Sequence, residues 1–228
     1  MRTMRTKGAL LASVVLALFA GQSSRMPAQQ AAGPVITIDF TDPGLTPAHW
    51  ALTLSPDGSG HFRSERGRAP ADASQGLEAA NIDRDIQVSP EFAARVFESA
   101  HLHRLFSTDC ESHMKVAFQG WKKLSYTGPD GTGSCTFNYS KDKSIQALGE
   151  SLVAVAATIV EGARLESLLQ HDRLGLDKEM EYIAEAAADG RVLQIVAIKP
   201  ILEKLADDPE VMERVRKRAR ALLARTNE

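Results

Sequence analysis

Residues 36–62 read ITIDFTDPGLTPAHWALTLSPDGSGHF, and their apolar spacing decides the fold class. Ile36, Ile38 and Phe40 alternate with Thr37, Asp39 and Thr41, and Trp50, Leu52 and Leu54 repeat the period. A period of two marks a strand with one face buried. Pro56-Asp57-Gly58-Ser59-Gly60 then reverses the chain, because proline presets φ and glycine admits positive φ. Phe62 sits on the returning strand. The reading is therefore an antiparallel sheet.

Working outward, residues 63–80 are charged or small without periodicity and predict a mobile surface loop. A weaker strand over 82–88 leads into Ser89-Pro90-Glu91, which signals a helix start: a serine cap, proline in the first turn and an acid near the positive end. Phe92, Ala93, Val96, Phe97 and Ala100 form that helix's apolar face. Val116 and Phe118, then Trp121, Leu124 and Tyr126, predict more strands. Gly128-Pro129-Asp130-Gly131-Thr132-Gly133 turns the chain, and Cys135, Phe137 and Tyr139 alternate on the return. Residues 142–144 open a long helix with a stripe of Ile145, Leu148, Leu152, Val155, Ile159 and Leu168. Pro-Asp-Gly-x-Gly turns at 56–60 and 129–133 each precede a helix. Two explanations stay open: a duplicated ββα unit, and the plain frequency of such turns in hairpins.

The tail is all-helical. Met180, Ile183, Ala184 and Ala187 follow a start at Leu176-Asp177, and Gly190 is placed to end that helix. Two further helices, over 192–206 and 210–224, are broken at Asp207-Asp208-Pro209. Pro200-Ile201-Leu202, Leu205, Asp208-Pro209-Glu210-Val211, Arg214, Ala219 and Leu222-Leu223 give residues 191–224 a resemblance to one HEAT-like helix pair. The resemblance implies a helix–turn–helix that must dock on another element, since a single unit cannot build a HEAT array. The fold expectation is α+β: an antiparallel sheet covered by helices, with an all-helical C-terminal extension. The expected segments are an export signal over 1–28, an α+β domain over 34–172 and a helical extension over 173–228.

Residues 1–20 carry the clearest address. Arg2, Arg5 and Lys7 precede an apolar run over 9–20. That run is shorter than the roughly 20 residues of a membrane-spanning helix, so it reads as a cleavable signal for export to a periplasm or the exterior. Removing residues 1–28 takes away four cations and no acid, leaving 23 basic against 29 acidic residues. A mildly acidic exported chain is a poor fit to nucleic acid. No second long apolar run follows, so no transmembrane segment is expected after cleavage. Cys110 and Cys135, both retained, are expected to form a structural disulfide.

Chemistry-bearing motifs are sparse. His101, His103 and His113 surround Asp109, Cys110 and Glu111, but His101 and His103 at i and i+2 do not share a helix face. Cys110-x-x-His113 would need two further metal ligands. Ser112-x-x-Lys115 and Ser140-x-x-Lys143 match the serine–lysine spacing of penicillin-binding enzymes without their Lys-Thr-Gly element. His171-Asp172 has no nucleophile beside it. Asn138-Tyr139-Ser140 is a glycosylation sequon. Arg214, Arg216, Lys217, Arg218 and Arg220 form a basic helix face, either solvated or aimed at anionic lipid or an acidic partner. No catalytic, cofactor or metal residue is assigned.

The functional expectation is a non-enzymatic binding or interaction module of the cell envelope or extracellular space, with a protein partner engaged through the C-terminal helices. The alternatives are a hydrolase with a site near His101–His113 and a structural protein that oligomerises through those helices. N-terminal sequencing of exported material should find the first residue between positions 21 and 33. An intact Met1 form embedded in membrane would overturn the signal assignment.

Overall fold

The computed structural model describes residues 33–65 and 81–227. The export signal over 1–28 and most of the expected loop, residues 66–80, lie outside the described residues. Six strands form one antiparallel sheet: β1 (Val35–Thr41), β2 (His49–Leu54), β3 (Ser59–Glu65), β4 (Asp83–Gln87), β5 (Trp121–Gly128) and β6 (Gly131–Phe137). Their order across the sheet is β4-β3-β2-β1-β5-β6. Five α-helices accompany them: α1 (Pro90–Leu102), α2 (Lys143–His171), α3 (Leu176–Ala188), α4 (Lys199–Asp207) and α5 (Glu213–Ala224). The class is α+β, with a helical C-terminal part.

Register follows the alternation in the sequence. Ile38 pairs with Leu52 on one side and Leu124 on the other, so apolar side chains of three strands line up on one face. The turn into β3 is closed by Gly58 at φ 82, where the Asp57 carboxylate accepts from the Ser59 amide at 3.0 Å. β4 intervenes between that hairpin and α1, whereas β6 runs straight into α2. The two hairpin–helix passages are therefore unequal in layout. Arg63, Ser64 and Glu65 extend β3 beyond the expected strand, held by Ser64 donating to the Ile82 carbonyl at 2.8 Å.

Helix starts match their signals. The Ser89 hydroxyl accepts from the Phe92 amide at 3.2 Å, and Asp142 caps α2 by accepting from Ser144 at 2.9 Å. α3 stops at Gly190, φ 73, where the Arg191 amide bonds back to the Ala186 carbonyl. The last two helices start later than their pattern suggests. Residues 195–198 form a short 3-10 turn before Pro200 enters α4, and residues 208–212 are non-helical before α5.

Two apolar clusters form. One joins the inner face of the sheet to α1 and the first half of α2, including Phe62, Phe97, Leu124, Phe137 and Leu152. The other joins the second half of α2 to α3, α4 and α5, including Leu165, Met180, Leu202 and Val215. α2 contributes to both. Thr158, fully buried on this helix, donates to the Leu193 carbonyl at 2.6 Å and ties down the segment that feeds α4. Gly162 lets the 195–198 turn approach α2, because a Cβ there would run into Ile198. Gly162→Ala should lower stability by about 1–3 kcal/mol through overpacking, read by urea denaturation. An unchanged midpoint would mean that this contact does not set the helix spacing.

Candidate functional site

The residues between α1 and β5 carry His103, Asp109, Cys110, Glu111, Ser112, His113 and Lys115 from among the chemistry-bearing side chains singled out above. The chain leaves α1 through three consecutive left-handed residues, Arg104, Leu105 and Phe106, at φ 54, 56 and 65. Each such non-glycine residue is strained by roughly 1–2 kcal/mol, and burial of Phe106 in the main core offsets that cost. The turn nests on β6 because Gly133 has no side chain; a Cβ there would meet the Leu105 carbonyl. Beyond the turn, residues 107–112 run beside the outer edge of β6. The sulfurs of Cys110 and Cys135 stand at disulfide distance, 2.02 Å. Ser112 donates its amide to the Tyr139 carbonyl at 2.8 Å, and the Glu111 carboxylate accepts from the Asn138 amide at 2.7 Å. An exposed sheet edge is thereby covered.

Burial works to raise the Glu111 carboxyl, but hydrogen bonds from Asn138, Ser112 and His113 outweigh it and hold it below its ordinary range. Asn138 is nearly buried, with its side-chain amide donating to the Ala117 carbonyl and its oxygen accepting from the Gln119 amide. That commitment leaves the sequon asparagine poorly presented for a glycan. Lys122, only 3% exposed, donates to the carbonyls of Gln119, Gly120 and Asn138 at 3.2, 3.1 and 3.1 Å. Its ammonium also lies over the rings of Phe40 and Phe137. Burial depresses the Lys122 ammonium, opposed by Glu150, Asp42 and Glu111. All three of its donors are engaged, so its role is to hold the loop.

That loop, residues 113–120, is not the strand expected from Val116 and Phe118. Its register is broken by Gly120 at φ 85, where Phe40 fills the space of a side chain. Met114, Val116 and Phe118 are exposed, and Phe118 makes an edge contact with exposed Trp121 at 6.1 Å. Strand β5 turns Lys122, Leu124 and Tyr126 inward, so Trp121 faces out of phase with Leu124 and Tyr126. Leu45, in the connection that follows β1, is exposed at the same end of the sheet. Exposed apolar side chains thus recur along residues 114–121, a crest whose backbone is held at Ala117, Gln119 and Gly120 by Asn138 and Lys122.

The three clustered histidines diverge. His101 turns to Asp130 at 3.5 Å, His103 to Ser144 at 2.7 Å and Asp142 at 3.6 Å, and His113 to Asp109 at 2.8 Å. The bond from His113 holds the Asp109 carboxyl below its ordinary range. Asp130 also accepts from the Tyr126 hydroxyl at 2.5 Å, and burial together with that bond pushes the tyrosine up to about 12. Two more such pairs, not among the expected site residues, lie on the outer face of the sheet. His49 meets Asp39 at 3.0 Å, and His61 sits between Asp83 at 3.1 Å and Asp85 at 2.9 Å. Their only signal was a histidine and an aspartate at outward positions of adjacent strands. Among the described residues no three histidine, cysteine, aspartate or glutamate side chains are disposed to hold a metal ion.

The remaining motifs separate in space. The Ser112 hydroxyl donates to Glu111 and accepts from Met114, while Lys115 is exposed. Ser140 is buried and accepts from the Asp142 amide. Asp172 is the C-terminal cap residue of α2 beside His171. The arginines of α5 are largely taken by acids: Arg214 and Arg218 hold Asp177 at 2.7 and 2.5 Å, and Arg216 and Arg220 pair with Glu213. Burial works to raise Asp177, and the two arginines overcome it.

Compared with known proteins, the chain matches no protein-family model and none of the curated sequences. Replacing Cys110 and Cys135 together by Ser should cost about 2–5 kcal/mol, measured by denaturation with and without reductant. Labelling of both thiols in the native, unreduced chain would overturn the bridge.

Proposed function

We propose that this chain is an exported binding module that presents the 113–121 crest to an apolar cleft on a protein partner. The observation that carries the reading is the exposure of Met114, Val116, Phe118 and Trp121 within one segment whose backbone is held at Ala117, Gln119 and Gly120 by Asn138 and Lys122. Large apolar side chains exposed together mark interaction sites more often than chance exposure does. Aromatic anchors on a pre-organised loop lose little entropy on docking.

A protein cleft fits the surroundings better than an anionic membrane. Asp42, Glu65, Asp109 and Glu111 lie at or near this end of the sheet, beside Lys115 and Lys123, and negative charge opposes adsorption to anionic lipid. Among the described residues no helix is long and apolar enough to cross a membrane. The C-terminal helices have thinner support as a partner surface. Their exposed large apolar side chains among the described residues are Leu174, just before α3, and Tyr182, which Arg191 covers at 5.2 Å.

Native mass spectrometry of the protein isolated from its own exported fraction should give one chain plus a second polypeptide mass. Changing Met114, Val116 and Phe118 together to Ser should leave the melting temperature unchanged and return the bare chain. A companion that survives the triple change would overturn the reading. So would a wild-type chain found bare, or a mass of two identical chains.

A further inference from the structure

One junction in the helical part has more acid than it can ionise. Glu161 on α2 faces Glu179 in the first turn of α3. Glu179 is 6% exposed, and its Oε2 is held by Arg164 at 2.9 Å. Glu161 Oε2 and Glu179 Oε1 are both buried and have no donor among the described residues. The charged groups facing Glu161 are Glu179 from α3 and Arg164 from its own helix. The 195–198 turn and α4 approach α2 at Gly162, the residue after Glu161, with Ile198 and Ile201. Of the cations on α5, Arg214 and Arg218 go to Asp177 and Arg216 to Glu213.

One guanidinium cannot neutralise two buried carboxylates, and two carboxylates have no hydrogen to share between them. We propose that Glu161 and Glu179 share one proton, and that this acid–carboxylate hydrogen bond is a proton-dependent latch of α3 on α2. The proton supplies the missing donor and leaves one negative charge, which Arg164 matches.

Burial, and then the facing Glu179, push the Glu161 carboxyl from its ordinary 4.5 up to about 8. At this pair the folded chain therefore holds one more proton than the unfolded chain between these values. The latch contributes fully below the lower value, and its contribution is lost as pH rises toward the upper one. Over that window the folding constant should fall by up to about tenfold per pH unit, and then level off.

Urea denaturation of the full chain between pH 5.5 and 9.5 tests this in wild type and Glu161→Gln. Glutamine keeps a neutral N–H donor for Glu179, so the variant's folding constant should fall less steeply up to about pH 8 and exceed wild type above it. The ratio of the two constants isolates this pair from every group that the two proteins share. A ratio independent of pH would overturn the latch. Infrared titration of the wild-type chain gives a second reading if the variant does not fold. A protonated-carboxyl band at neutral pH that disappears around pH 8 is expected; only ionised carboxylate at neutral pH would overturn the proposal.

Discussion

One helix serving two cores is the constraint on which the rest of the molecule depends. α2 runs 29 residues, about twice the usual length. Its first half closes the sheet's apolar face together with α1, and its second half is the floor for α3, α4 and α5. A helix buried on so many sides must give way where neighbours come close. Gly149 admits the Phe137 ring and Gly162 admits Ile198, while Thr158 supplies the hydrogen bond that anchors the connection between α3 and α4. Small or polar residues in the stripe are thus contact points with other elements.

The second dependency is the covered edge of β6. An antiparallel sheet with two free edges invites pairing with other chains. Here the left-handed turn, the paired cysteines and the Glu111–Asn138 bond lay residues 104–112 along one edge. The opposite edge, β4, exposes Asp83, Asp85 and Gln87 and is held to α2 by the paired bonds of Arg84 to Glu166 at 2.9 and 2.7 Å. Covering β6 also pins the following loop.

Buried charge is handled in two ways. Lys122 is surrounded by three carbonyls that match its three protons. Glu161 and Glu179 meet with one guanidinium between them, which makes their junction depend on a proton. The other acids near the crest and hairpins are satisfied by backbone amides, hydroxyls or histidines within a few residues or on a neighbouring strand.

Local patterns were legible where one physical rule governed a segment. The alternation of Ile36, Ile38 and Phe40, the turns at Gly58 and Gly128, the caps at Ser89 and Asp142 and the stop at Gly190 all reflect near-neighbour chemistry, and the α+β class follows from them. The strand expected at Val116 and Phe118 failed because Asn138, about twenty residues on, claims the Ala117 carbonyl and the Gln119 amide, while nearby Lys122 takes the Gln119 and Gly120 carbonyls. Trp121 resembled a core residue by type, yet strand phase turned it outward. The three histidines were neighbours in sequence and not in chemistry, since α1, the left-handed turn and the edge segment point them to different aspartates. The sequence by itself determined the strands and helices where a local rule governed them, because periodicity and capping act over a few residues. Only the tertiary structure decided which polar side chains became buried and which apolar ones stayed exposed, because those outcomes depend on partners tens of residues away.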